Sequence, residues 1–157
     1  MKKSLTAMIM AIMVLRSAAQ SKVSHVSPEV KKAFSLQYPA GHLKKWGQKN
    51  GEYVAAFRQQ GKKYLAYYTP GGNWKATTSP VKWTRNLPAD VRAGWNTCKY
   101  MDWLIMDMNK IDQPGETQYS IHVGQVQSLG PDDADIGSEY ILFFSDKGEL
   151  IRKERIS

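Results

Sequence analysis

The chain has 157 residues, is 42% hydrophobic and 23% charged, and carries a formal net charge of +8. This is an ordinary globular composition, sufficient for one domain or two small fused halves. Its one cysteine, Cys98, excludes an internal disulfide framework, and its lysines are scattered rather than gathered into the stripe that nucleic acid requires, so no nucleic-acid partner is expected.

Residues 1–19 read as a secretory signal peptide. Lys2 and Lys3 form a basic start, residues 5–15 an apolar run too short to span a bilayer, and Ser17-Ala18-Ala19 a small-residue cleavage site before Gln20. Lys2, Lys3 and Arg16 leave with this segment, which holds no acid, so the formal charge falls by three to +5. No cysteine stands beside the cut to take a lipid, and no later segment has transmembrane character. The mature protein is expected to be periplasmic or secreted and not membrane-spanning.

A polar leader, residues 20–26, precedes a first helix. Ser27 is its N-cap, Pro28 sits in the first turn, and Glu29 lies at the positive end of the helix dipole. Val30, Ala33, Phe34 and Tyr38 form its apolar stripe, and Pro39 stops it. Four strands follow at residues 42–48, 52–58, 62–69 and 73–83. Turns are expected at Asn50-Gly51, Gln60-Gly61 and Pro70-Gly71-Gly72. Pro80 makes the far end of the fourth strand an edge or a bend.

A second helix is expected over residues 87–100, its buried stripe made by Val91, Gly94, Trp95 and Cys98; this reads Cys98 as an inert core thiol. Strands are then expected at 102–108, 118–127, 139–145 and 149–156. A turn spans 112–116, a loop 130–138, and Asp146-Lys147-Gly148 forms the last turn.

The two halves echo each other. Tyr64–Trp74 aligns without a gap on Tyr140–Leu150, so Tyr67 matches Phe143, Tyr68 matches Phe144 and Gly72 matches Gly148. Pro28–Phe34 echoes Pro88–Trp95, and Glu52–Phe57 echoes Gln118–Val123. The order of the echoes implies a duplicated unit, residues 27–84 and 85–157, each a helix followed by four strands. Each half alone is too short for a secure core, so the two share one body.

The turns also set a register. A two-residue turn at Gln60-Gly61 places Phe57 opposite Tyr64, Ala55 opposite Ala66 and Tyr53 opposite Tyr68. A three-residue loop with Gly72 left-handed then places Tyr68 opposite Trp74 and Ala66 opposite Ala76. Tyr53, Ala55, Phe57, Tyr64, Ala66, Tyr68 and Trp74 would share the face that receives the helix. The other face would carry Val54, Ala56, Arg58, Lys63, Leu65, Tyr67 and Lys75, joined from the second unit by Ser120, His122, Ile141, Phe143 and Ile151.

These residues resemble a known family. A V-x-x-A-F helix ending in Tyr38-Pro39, then Trp46, Gly51, Tyr53, Ala55 and Phe57, then Tyr64, Tyr67, Tyr68, Gly72 and Trp74, resembles the PepSY-like or beta-lactamase-inhibitor-like proteins exported by Bacteroides-type bacteria. Leu87, Pro88, Val91, Trp95, Tyr119, Tyr140, Phe143, Phe144 and Gly148 carry the pattern in the second copy. The resemblance implies an α+β fold of tandem αββββ units, an antiparallel sheet with the helices on one face. It also implies association with the cell envelope and with restraint of proteases.

Chemistry-bearing motifs are sparse. His25, His42 and His122 have no metal-pair spacing, and structural or solvent-facing roles are expected for all three. Asp132, Asp133, Asp135, Gly137 and Glu139 form the one acidic cluster; it lacks a full calcium-loop pattern and reads as a solvated loop. No nucleophile elbow or phosphate-binding glycine loop is present. The expectation is therefore no catalytic, metal or cofactor-binding residue, and an exported, non-enzymatic, inhibitor-like module. Its partner would be an envelope or secreted protein, met by a sheet face bearing Leu65, Tyr67, Lys75, His122, Ile141 and Phe143. The alternative is a binder of a small ligand or envelope glycan in a groove between the units; an enzyme of unknown type ranks third.

Overall fold

The computed structural model describes residues 21–23, 25–130 and 133–156. The expected signal peptide, and residues 131–132 of the acidic cluster, lie outside the described residues.

Helix α1 spans Pro28–Gln37. Ser27 accepts a hydrogen bond from the Val30 amide, and its hydroxyl donates to the carbonyl of Pro70, tying the helix start to a hairpin turn. Pro39 cannot continue the helix, and the Tyr38 amide closes the last turn on Phe34. Strands β2 (His42–Lys49), β3 (Glu52–Gln59), β4 (Lys62–Tyr68) and β5 (Trp74–Pro80) follow. Asn50-Gly51 and Gln60-Gly61 adopt positive φ at both positions, giving the two-residue turns whose twist suits hairpins.

A 3-10 turn at Thr84–Asn86 leads into helix α2 (Ala89–Thr97), then β6 (Leu104–Gln113), β7 (Glu116–Gly130), β8 (Asp133–Ser145) and β9 (Leu150–Arg155). All strands pair antiparallel in chain order within one sheet, and β5 joins β6 to fuse the two units. The polar leader contributes Ser21–Lys22 as a two-residue strand β1 against β2.

Three expectations are corrected. Residues 130–138 are not a loop: β7 and β8 extend as a long hairpin, with Val126 opposite Ile136 and Gln127 opposite Asp135. The polar sequence suggested a loop, but a hairpin arm can be solvated on both faces and still satisfy its backbone through the ladder. Ala66 faces Thr77, not Ala76, because a bulge makes Lys75 an extra residue between Trp74 and Ala76. Cys98 lies beyond the end of α2 rather than on its stripe. It packs half-buried against the second core, where burial raises its thiol pKa.

The duplication extends to the irregularities. The bulge at Lys44, between Leu43 and Lys45, recurs at Met106, between Ile105 and Asp107. The bulge at Lys75 recurs at Ile151.

Both helices pack on the same face of the sheet. Val30 and Phe34 of α1 meet Ala55, Phe57, Ala66 and Tyr68; the alanines leave room for the Phe34 ring, which contacts Trp46 and Phe57 edge-on. Val91 and Trp95 of α2 meet Met108, Tyr119, Ile121, Val123, Leu142 and Phe144. Between these cores runs a polar seam. The Tyr38 hydroxyl pairs with Thr77, which also accepts from the Trp74 indole, and Asp112 bonds both Lys110 and Thr117.

Helix and hairpin meet backbone to backbone at the second unit. A Cβ on Gly94 would lie 1.9 Å from the Gly148 carbonyl oxygen, and one on Gly148 would lie 2.0 Å from that of Asp90. Gly148 also has φ +80°, and its counterpart Gly72, at φ +85°, approaches the Glu29 carbonyl of α1. Gly94→Ala is therefore expected to destabilise the fold by about 3 kcal/mol in urea denaturation, since backbone must shift to admit the methyl. Gly115→Ala, also at positive φ but with nothing nearby, should lose only about 1 kcal/mol to backbone strain.

Candidate functional site

The face away from the helices holds a third core, Ala76, Ile111, Ile141 and Phe143, with Tyr67 and Ile156 packed against it. No residue of α1 or α2 belongs to this cluster. Phe143 is nevertheless 0% exposed. Its cover comes from the next strand: Arg152 sits opposite it and lays its guanidinium 3.8 Å from the ring centroid, held in turn by Glu154. Tyr67 is half-buried, and burial raises its phenol pKa.

Of the six residues singled out for this face, Ile141 and Phe143 are its buried floor, while Leu65, Tyr67, Lys75 and His122 are half-buried. Lys75 is the bulge residue, and Ile151 is its counterpart at the β8–β9 bulge, exposed in the second unit. Tyr67, Ile141 and Phe143 converge in one cluster, Leu65 lies beside Thr78, and His122 is cross-strand from Ile141.

His122 is clamped across three strands. Its Nδ1 lies 3.1 Å from an Asp107 carboxylate oxygen and its Nε2 3.0 Å from one of Glu139. Ionised carboxylates only accept, so both contacts are hydrogen bonds when the ring carries both protons. Among the described residues, no three histidine, cysteine or carboxylate side chains are placed to hold a metal ion. Sequence reasoning missed Asp107 and Glu139 as partners of His122. A bulge shifts the first into register, and the second, expected as the first residue of a strand, lies within a longer strand opposite Gly124.

Nearer the start of the sheet, a groove of about 440 Å³ opens over Ala56, Leu65, Thr78 and Pro80, with Lys44, Arg58 and Lys63 among its lining. Beyond the clamp, Leu104, Met106 and Val126 are exposed at the other end. The face therefore runs from a basic groove, across an apolar floor, to an acidic clamp.

Removing the guanidinium in Arg152→Ala should uncover Phe143 and lower stability by about 1–2 kcal/mol, read by thermal denaturation. A pH effect follows from the buried phenols. Burial holds Tyr38, Tyr67, Tyr68 and Tyr119 above the ordinary tyrosine value. The unfolded chain releases these protons near pH 10, while the folded protein retains them. Stability that is complete below about pH 10 is therefore lost as the pH climbs through the folded values; urea midpoints at about pH 8 and about pH 11 should fall in that order.

No family model and no curated protein matches the sequence. Solved structures do match the fold. A BLIP-like protein from Bacteroides fragilis superposes with a TM-score of 0.74 at 24% identity, covering 85% of this chain and 89% of that one. A DUF2874 family protein from Bacteroides ovatus gives 0.74 at 22% identity, covering 85% and 89%. A candidate periplasmic protein from Bacteroides eggerthii gives 0.70 at 22% identity, covering 84% and 90%. The arrangement of two helices, each followed by four strands of one antiparallel sheet, is the BLIP-like fold of these Bacteroides proteins.

Proposed function

We propose that this protein is an exported, non-enzymatic protein-binding module of inhibitor-like character. Its contact surface is the helix-free face of the sheet, and its partner is an envelope or secreted protein. The observation that carries this reading is the face itself. It is a rigid antiparallel platform with a buried floor at Ile141 and Phe143, half-buried side chains at Leu65, Tyr67, Lys75 and His122, and no helix over it. A half-buried ring packed in a cluster, as Tyr67 is beside Ile141 and Phe143, offers contact area with little rotamer freedom left to lose.

The BLIP-like fold of the matching structures supports a protein partner, although one fold hosts many activities. The candidate periplasmic description of one match agrees with the basic-then-apolar start of this chain. Among the described residues, no helix is long and apolar enough to cross a membrane.

Site-specific photocrosslinking in the native host tests the assignment. Benzoylphenylalanine at Leu65 or Lys75 should give a discrete adduct with a partner protein. The same group at Lys31 or Lys32, on the exposed side of α1, should give none. Equal labelling from both faces, or none from the sheet, would remove the basis for this reading.

A further inference from the structure

The duplication places three pairs of equivalent positions on the helix-free face. Asp107, His122 and Glu139 of the second unit correspond to Lys45, Ala56 and Lys63 of the first, with the preceding bulges also matched. In the second unit the imidazole fills the space between the flanking carboxylates, within hydrogen-bond distance of both. In the first unit the flanking charges are reversed, and alanine stands where the ring would be. The groove over Ala56 and Leu65 occupies this position.

The cations of this groove are uncompensated. Arg58 and Lys63 are directly cross-strand on β3 and β4, with His42 beside Arg58 on β2. Like charges in that relation destabilise a sheet. Among the described residues, Lys44, Arg58 and Lys63 make no ion pair, whereas Lys110, Lys147 and Arg152 each have an acidic neighbour. No acidic side chain lines the groove, and its floor is made by Ala56, Leu65, Thr78 and Pro80.

We propose that this groove docks an acidic segment of a protein partner. An apolar side chain of the segment lies on Ala56 and Leu65, and its neighbouring carboxylates meet Lys44, Arg58 and Lys63. The incoming carboxylates supply the negative charge that the groove's own lining lacks. Bidentate pairing favours Arg58 as the principal contact. The inference rests on the protein-binding reading of this face and adds the chemistry of what is bound.

The test is an NMR titration of the mature chain with an end-capped peptide of alternating glutamate and leucine. Saturable shifts are expected at residues 42–45, 56–58, 63–65 and 78–80. Lys63→Glu converts a repulsive cross-strand pair into an attractive one. It should raise the melting temperature while weakening the peptide by about tenfold or more. That combination separates loss of binding from loss of folding. A glutamate–serine peptide should bind more weakly, because it leaves the apolar floor unused. Absence of saturable binding, shifts confined to the helix side, equal binding of the serine peptide, or unchanged affinity in Lys63→Glu would each overturn the proposal. A photocrosslinked partner whose yield is untouched by Lys63→Glu would overturn the groove alone and leave the face standing. Absence of any crosslink from the face in the wild type would remove the face itself.

Discussion

The contact between the last hairpin of a unit and the helix that begins it governs the architecture. At the second unit this contact is between main chains: the left-handed Gly148 rests on the carbonyl of Asp90, and Gly94 leaves space for the Gly148 carbonyl. The first unit repeats the contact through Gly72 and Glu29, and there the Ser27 hydroxyl adds a bond to Pro70. Once the helix is held at both the turn and the strand centres, its apolar stripe has one face of the sheet to cover. Both helices obey the same constraint, so both lie on the same side. The opposite side is left to the sheet's own side chains.

That side is built differently from the helix-covered one. A helix brings a continuous apolar stripe; the open face has to shield its largest ring with a neighbour's charged stem, as Arg152 does for Phe143. Charge then accumulates around the apolar floor, paired at the second unit and unpaired at the first. The difference arises from substitutions at corresponding positions, with the bulges at Lys44 and Lys75 kept at Met106 and Ile151.

Much of the fold could be read from alternation and turn residues. Asn50-Gly51 and Gln60-Gly61 fixed the pairing of β2, β3 and β4, and Ser27-Pro28-Glu29 marked a helix start. The residues facing α1 were identifiable because large rings alternate with alanines. Where physical signals conflicted, reading failed. Lys75 has no local mark that it is an extra residue, so the register beyond Trp74 slipped by one. Among the described side chains of the β7 and β8 arm past Gly124 none is buried, so its sequence carries the polarity of a loop while its backbone keeps the ladder. The candidate site was legible as a face but not as contacts. Alternation placed His122 there, whereas its partners depend on a bulge at Met106 and on the cross-strand register of β8 at Glu139.

The strand order has a consequence for how the molecule is made. Every strand hydrogen-bonds to the one before it in the chain, and none waits for a distant partner. A polypeptide threaded through a pore with its N-terminus leading can lay down each ribbon as it emerges, and the first helix has its whole platform once β5 is through. Closing loops stay short except for the two spans that carry α1 and α2, so little entropy is surrendered at the other steps. Vectorial assembly of this kind would suit the export proposed for this chain.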